Sequence, residues 1–169
     1  ARSVNNYELH WRDVVKPDYI VIHYFINDAE YLSPSEENLV FKNSQLAVIL
    51  YHIFQGLMRG SPEISKLEKH YKNVYAPTSR GYKEMLVALD KLKKITDNDG
   101  TKVIFAMIPD IHQLQNYPFK FVHKRMQKIS ADREWLYVDF LENLQNFQGP
   151  ELWTIPGDPH PNGIVHGIM

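Results

Sequence analysis

The chain contains no cysteine. That excludes disulfide staples, thiolate metal sites and a cysteine nucleophile, and leaves the compartment open. Neither charge is in excess: 19 Lys and Arg stand against 20 Asp and Glu, for a formal net charge of −1. A molecule-wide basic footprint for nucleic acid is therefore lacking. Basic residues gather only between Arg59 and Lys94, nine against four acidic ones, a pattern read first as solvated helix faces and second as a patch for an anionic partner. No apolar run approaches the ~20 residues that span a bilayer. Glycine is scarce, eight in all, and none falls into a phosphate-cradling Gly-x-Gly-x-x-Gly turn, which disfavours nucleotide binding. Eight histidines are present, but no His-Glu-x-x-His and no close pair at ligand spacing. His160 and His166 sit six apart across a helix start, a poor match to one helical face. Neither a metal nor a cofactor is expected.

What is there is a 169-residue chain with 44% hydrophobic residues, enough to bury one sizeable core. A helix is expected over Asn5 to Val15, ended by Lys16-Pro17 because the residue before proline is pushed out of the helical region. Tyr19 to Ile26 is an almost unbroken apolar and β-branched run, as in a strand buried on both faces within a helix-covered parallel sheet. Lys102 to Ile108 is a second strand, stopped by Pro109, and Leu136 to Val138 a short third, ending at Asp139. Helical spacing joins Tyr82, Met85, Leu86, Leu89, Leu92 and Ile95, and again Phe119, Val122, Met126 and Ile129. Alternating strands and helices with right-handed crossovers predict a doubly wound α/β sheet.

Between Glu30 and Thr78 the pattern is less regular. Ser33 to Glu37 reads as a turn or helix start. Leu46 to Phe54 is the most hydrophobic helical stretch, read as a core or subunit-contact helix, with a lid or membrane-surface element as the alternative. Gly56 and Gly60 loosen the chain before a Lys-rich helix over Ile64 to Tyr71. Residues 30–78 are thus expected as an insertion or lid-like helical segment within a single domain.

Several polar residues stand where chemistry would be placed. Asn27 follows the first strand, where its amide could point at a developing oxyanion; the alternative is an Asn that stabilises its own turn. Asp28 is expected to cap that turn. Asp110 and His112 lie just beyond the second strand, at the usual ligand crevice of parallel sheets. Gly157-Asp158-Pro159-His160-Pro161-Asn162 reads as a tight turn. There the flanking prolines restrict His160, as suits a general base, while a surface loop histidine is the alternative. Asn162 is expected to cap the last helix.

Pro17-Asp18-Tyr19-Ile20-Val21-Ile22 followed by Asn27-Asp28-Ala29 resembles the third block of the SGNH (GDSL-type) hydrolases. Asp158, His160, Pro161, Asn162 and His166 resemble their fifth. The two blocks occur in the family's order, about 130 residues apart. Tyr117-Pro118-Phe119 and Leu152-Trp153 are similar to members linked to surface polysaccharides. The resemblance implies an esterase or acyltransferase acting on O-acyl groups of carbohydrate or lipid. In it His160 is the base, Asp158 its orienting carboxylate and Asn27 an oxyanion donor. Asp110 and His112 are read as substrate-binding from their place at the strand end, with ordinary polar loop residues as the alternative. The pattern also departs from the family's. Phe25 stands where a Gly is usual, and Asp158 lies two residues before the His rather than three. The nucleophilic Ser of a Gly-Asp-Ser turn is not in the chain: Ser3 enters a helix, and Ser61 follows no strand. The resemblance therefore implies an N-terminally, and slightly C-terminally, incomplete domain that is inactive alone. A non-catalytic α/β module binding glycan or protein remains the other reading. The oligomeric state is left open. A periplasmic or secreted location is favoured over the cytoplasm.

Overall fold

The computed structural model describes residues 2–31, 64–156 and 158–169, without the side chains of Asp158 and Pro159. The expected elements at Ser33–Glu37 and Leu46–Phe54, and Gly56, Gly60 and Ser61, lie outside the described residues. Helices α1 (Arg2–Asn6) and α2 (Arg12–Val15) are joined by a π turn, Tyr7–Trp11. Lys16 closes α2 in the left-handed region (φ 46°), its N–H returning to the Arg12 carbonyl. Then follow β1 (Tyr19–Tyr24), a 3-10 turn (Ile26–Ala29), α3 (Ile64–Val74), α4 (Arg80–Asp99), β2 (Lys102–Met107) and α5 (Lys120–Ala131). The chain continues through β3 (Leu136–Asp139), α6 (Leu141–Leu144), a second 3-10 turn (Gly149–Leu152), the hairpin β4 (Trp153–Ile155) and β5 (Asp158–Pro161), and α7 (Gly163–Ile168).

The sheet is parallel, in the order β1-β2-β3, with Ile22 beside Phe105 and Phe105 beside Tyr137. Helices between parallel strands are what the alternating periodicities require. Residues of one sheet face enter the core: Phe105 and Met107 are fully buried, with Val122, Met126 and Leu144 from the helices. Phe105 also stacks near Trp135 and Tyr137.

Two expectations for the first strand need correction. It ends at Tyr24, because Phe25 to Ala29 turn away into the 3-10 turn. Nor is it buried on both faces: Tyr19 and Val21 are 56% and 51% exposed, and Leu136 on β3 is 62% exposed. A continuous apolar run reports that residues are apolar, not that a layer covers both sides. Among the described residues β1 pairs only with β2. No described helix is long and apolar enough to cross a membrane.

Candidate active-site crevice

In a parallel sheet all strands end at one edge; β1 and β2 each bring a group there, and the C-terminal hairpin adds a third. The β1 end carries Asn27. Its turn is fixed from below by Tyr75, fully buried, whose hydroxyl donates to the Ile26 carbonyl (2.9 Å) and accepts from Tyr24 (2.7 Å). The Phe25 N–H donates to Asp28 Oδ2 (2.7 Å), so Asp28 caps this turn as expected. Asn27 is exposed, makes no side-chain hydrogen bond among the described residues, and lines a cavity of about 380 Å³ with Asp28, Glu30, Glu84 and Arg2. A Cβ at Gly81 would lie 2.3 Å from the Ala29 carbonyl oxygen; only glycine lets α4 approach the turn so closely.

The β2 end carries Asp110 and His112, held directly together. Asp110 is buried, and its Oδ1 accepts from His112 Nδ1 (2.8 Å) and from the His112 backbone N–H (2.9 Å). Nδ1 therefore carries the proton, and Nε2 is left without a partner among the described residues, on a side chain 39% exposed. The hydrogen bond to Asp110 raises the His112 pKa above its usual value, against a smaller lowering by burial.

Beneath this pair runs a chain of hydrogen bonds that sequence patterns did not reveal. The Asp110 N–H donates to the Tyr117 hydroxyl (3.0 Å), which is 3.1 Å from His123 Nε2. His123 Nδ1 lies 2.9 Å from both Asp139 oxygens. Since Nδ1 faces only a carboxylate it is the donor, and Nε2 then accepts the Tyr117 proton. Asp139 also accepts from the Leu141 N–H (2.9 Å) and from Tyr137 (3.2 Å). Burial alone would raise the Asp139 pKa; the bond from His123 leads the contributions that leave it lowered. His123 and Asp139 look like ordinary helix and strand-end residues in sequence, sixteen apart. Only the β3–α5 packing joins them.

Burial first, then the carboxylates of Glu30 and Asp110, push the Tyr71 pKa up, so both carboxylates lie within electrostatic reach of one hydroxyl. The third group is the hairpin. Within the expected tight turn, Asp158–Pro161 instead form β5, paired antiparallel to β4 with Ile155 opposite Asp158 and Trp153 opposite Pro161. Trp153 Nε1 donates to the Ile111 carbonyl (3.1 Å), and its ring meets the His112 ring at 6.3 Å, edge to face. Gly149 allows the incoming strand to cross closely: a Cβ there would sit 2.6 Å from the Ile111 carbonyl oxygen. The hairpin is therefore held against the β2 end. Exposed His160 lies on β5, its carbonyl accepting from Thr154 (3.0 Å). Asn162 caps α7, accepting from the Ile164 and Val165 amides.

His160 is not among the described residues that line the cavity at Asn27. A larger one, about 460 Å³, lies at the opposite edge, beside Tyr19, Lys102 and Leu136, away from all of these residues. Among the described residues no three His, Asp or Glu side chains converge as a metal would need. Chemically, the edge offers an unengaged amide donor, a carboxylate-held imidazole and a second exposed imidazole, which are the parts of proton transfer and oxyanion binding. The chain matches no protein-family model, no curated protein and no solved structure.

Proposed function

We propose that this chain carries the oxyanion and general-base half of a serine ester hydrolase of the SGNH type, acting on O-acyl esters of carbohydrate or lipid. The finer architecture proposed with it is the doubly wound three-layer sandwich of that family, completed by strands that these residues do not supply. The serine comes from outside the 169 residues. It attacks the ester carbonyl and His160 takes its proton; Asp158 orients the imidazole, and Asn27 donates to the tetrahedral oxyanion. When the acyl-enzyme forms, His160 returns the proton to the departing alcohol. Water then completes hydrolysis, whereas a sugar hydroxyl in its place would complete acyl transfer.

The observation that supports this reading most is Asn27. The turn that holds it is closed by Asp28 and Tyr75, so the Asn amide is not consumed by its own turn, as a purely structural Asn would be. A non-catalytic binding module is the alternative, favoured by the lack of a Gly-Asp-Ser turn. Labelling of the full-length gene product by a serine-directed fluorophosphonate separates them. Labelling together with aryl-ester turnover that His160→Ala lowers by several orders of magnitude supports the enzyme. A full-length product that does not label is a binding module. Turnover by the 169-residue chain alone, abolished by substitution of Ser3, would overturn the assignment of the nucleophile.

A further inference from the structure

At the β2 end, an indole and an imidazole meet edge to face, each with one ring N–H already engaged. Trp153 gives its N–H to the Ile111 carbonyl, so the part of this half-buried ring that reaches solvent is hydrocarbon. His112 gives Nδ1–H to buried Asp110, and its Nε2 has no partner among the described residues. An apolar ring face beside a fixed polar atom matches a sugar ring, which has one face of C–H groups and hydroxyls at its rim. A hydroxyl both donates and accepts, so it pairs with Nε2 whether that atom is protonated or not. The charge beside the pair is that of Asp110, whose carboxylate accepts from His112 at 2.8 Å. The carboxylate of a uronate would meet a like charge there, and a neutral sugar meets none.

We propose that Trp153 and His112, the latter positioned by Asp110, form a subsite for an uncharged sugar ring, so that the ester acted on is borne by a neutral carbohydrate. The reaction part of this inference rests on the ester-hydrolase reading; the sugar binding does not. The test is a titration of the 169-residue chain with xylohexaose, cellohexaose and chitohexaose, and with trigalacturonate as the charged control, followed by proton–nitrogen NMR. At least one neutral hexaose should move the Trp153 indole signal saturably while that of buried Trp135 stays in place. His112→Ala should weaken that binding about tenfold, the loss of roughly one hydrogen bond. Trp153→Ala, followed through the His112 amide, should weaken it at least as much, and Trp153→Phe, which keeps a ring, by less.

If no neutral probe moves Trp153, or if binding is unchanged by His112→Ala, the subsite is refuted. Equal binding of trigalacturonate would refute its preference for uncharged sugars. None of these readouts needs turnover, so their failure leaves fluorophosphonate labelling intact. Conversely, a full-length product that does not label leaves the sugar titration unaffected.

Discussion

At the scale of single residues, the two histidine–carboxylate pairs respond to pH in opposite directions. The His112 pKa is raised in the folded state by Asp110, so the stability this pair adds is fully present below the unfolded value of about 6.5. It is lost as pH rises through the folded value. NMR titration should find His112 titrating above a free histidine, and Asp110→Asn should bring it back toward about 6.5. The Asp139 pKa is lowered, so its contribution is present above the unfolded value of about 3.9 and disappears as pH falls through the folded one. Asp139→Asn should therefore cost about 2 kcal/mol at neutral pH, the scale of hydrogen bonds to a charged group. Its urea midpoint should also depend less on pH in the acid range than that of the parent. On the catalytic side, Asn27→Ala in the full-length protein should lower ester turnover by about 10²–10³ with little change in unfolding midpoint, because one oxyanion donor is lost and no turn contact.

At the scale of elements, close approach outweighs intrinsic preference. Alanine favours a helix over glycine by about 1 kcal/mol, so Gly81→Ala in α4 would stabilise an isolated helix. Here the added Cβ meets backbone at 2.3 Å, and overpacking costs about 1–3 kcal/mol. Gly81→Ala should lower the urea midpoint and shift the backbone signals of Asn27 to Ala29. How much the sequence told differs by element for similar physical reasons. The helix of Met85, Leu89 and Leu92 and the strand of Val103 and Phe105 announce themselves because their burial repeats at a local period. The β4–β5 hairpin does not. Pro159 and Pro161 argue against a strand, yet a two-stranded ribbon tolerates them because, among the described residues, β5 pairs on one side only. The same limit applies to the site. Asp110 and His112 are two apart and legible as a pair, whereas the Tyr117–His123–Asp139 chain exists only once α5 packs against β3. Exposure of Val21 was equally hidden, since valine is as apolar on an uncovered face as on a covered one.

At the scale of the whole molecule, the side of β1 away from β2, unpaired among the described residues, sets behaviour in solution. Lys102 N–H bonds the Asp18 carbonyl and Ile108 N–H the Tyr24 carbonyl. By the alternation of a parallel ladder, Ile20, Ile22 and Tyr24 therefore direct their amides to β2, while Tyr19, Val21 and His23 direct theirs outward. Hydrogen exchange should show the same alternation, slow at 20, 22 and 24 and fast at 19, 21 and 23. An unpaired edge beside exposed Tyr19 and Val21 is a template for association. The 169-residue chain should therefore self-associate with concentration in light-scattering chromatography, and Val21→Lys should suppress it.

The π turn at Tyr7–Trp11 has a consequence for chain length. Such a turn accommodates one residue more than a regular helix would hold between the same ends. Removing a residue there would let the chain wind regularly between the same ends, so the azimuth of α1, and of Val4 against the sheet, would hardly change. Arg12, which grips Asp99 with two nitrogens, would keep its place, while Glu8, inside the turn, would shift relative to Lys91. The turn thus acts as slack: chain length can change by one residue there without rotating α1 about its axis.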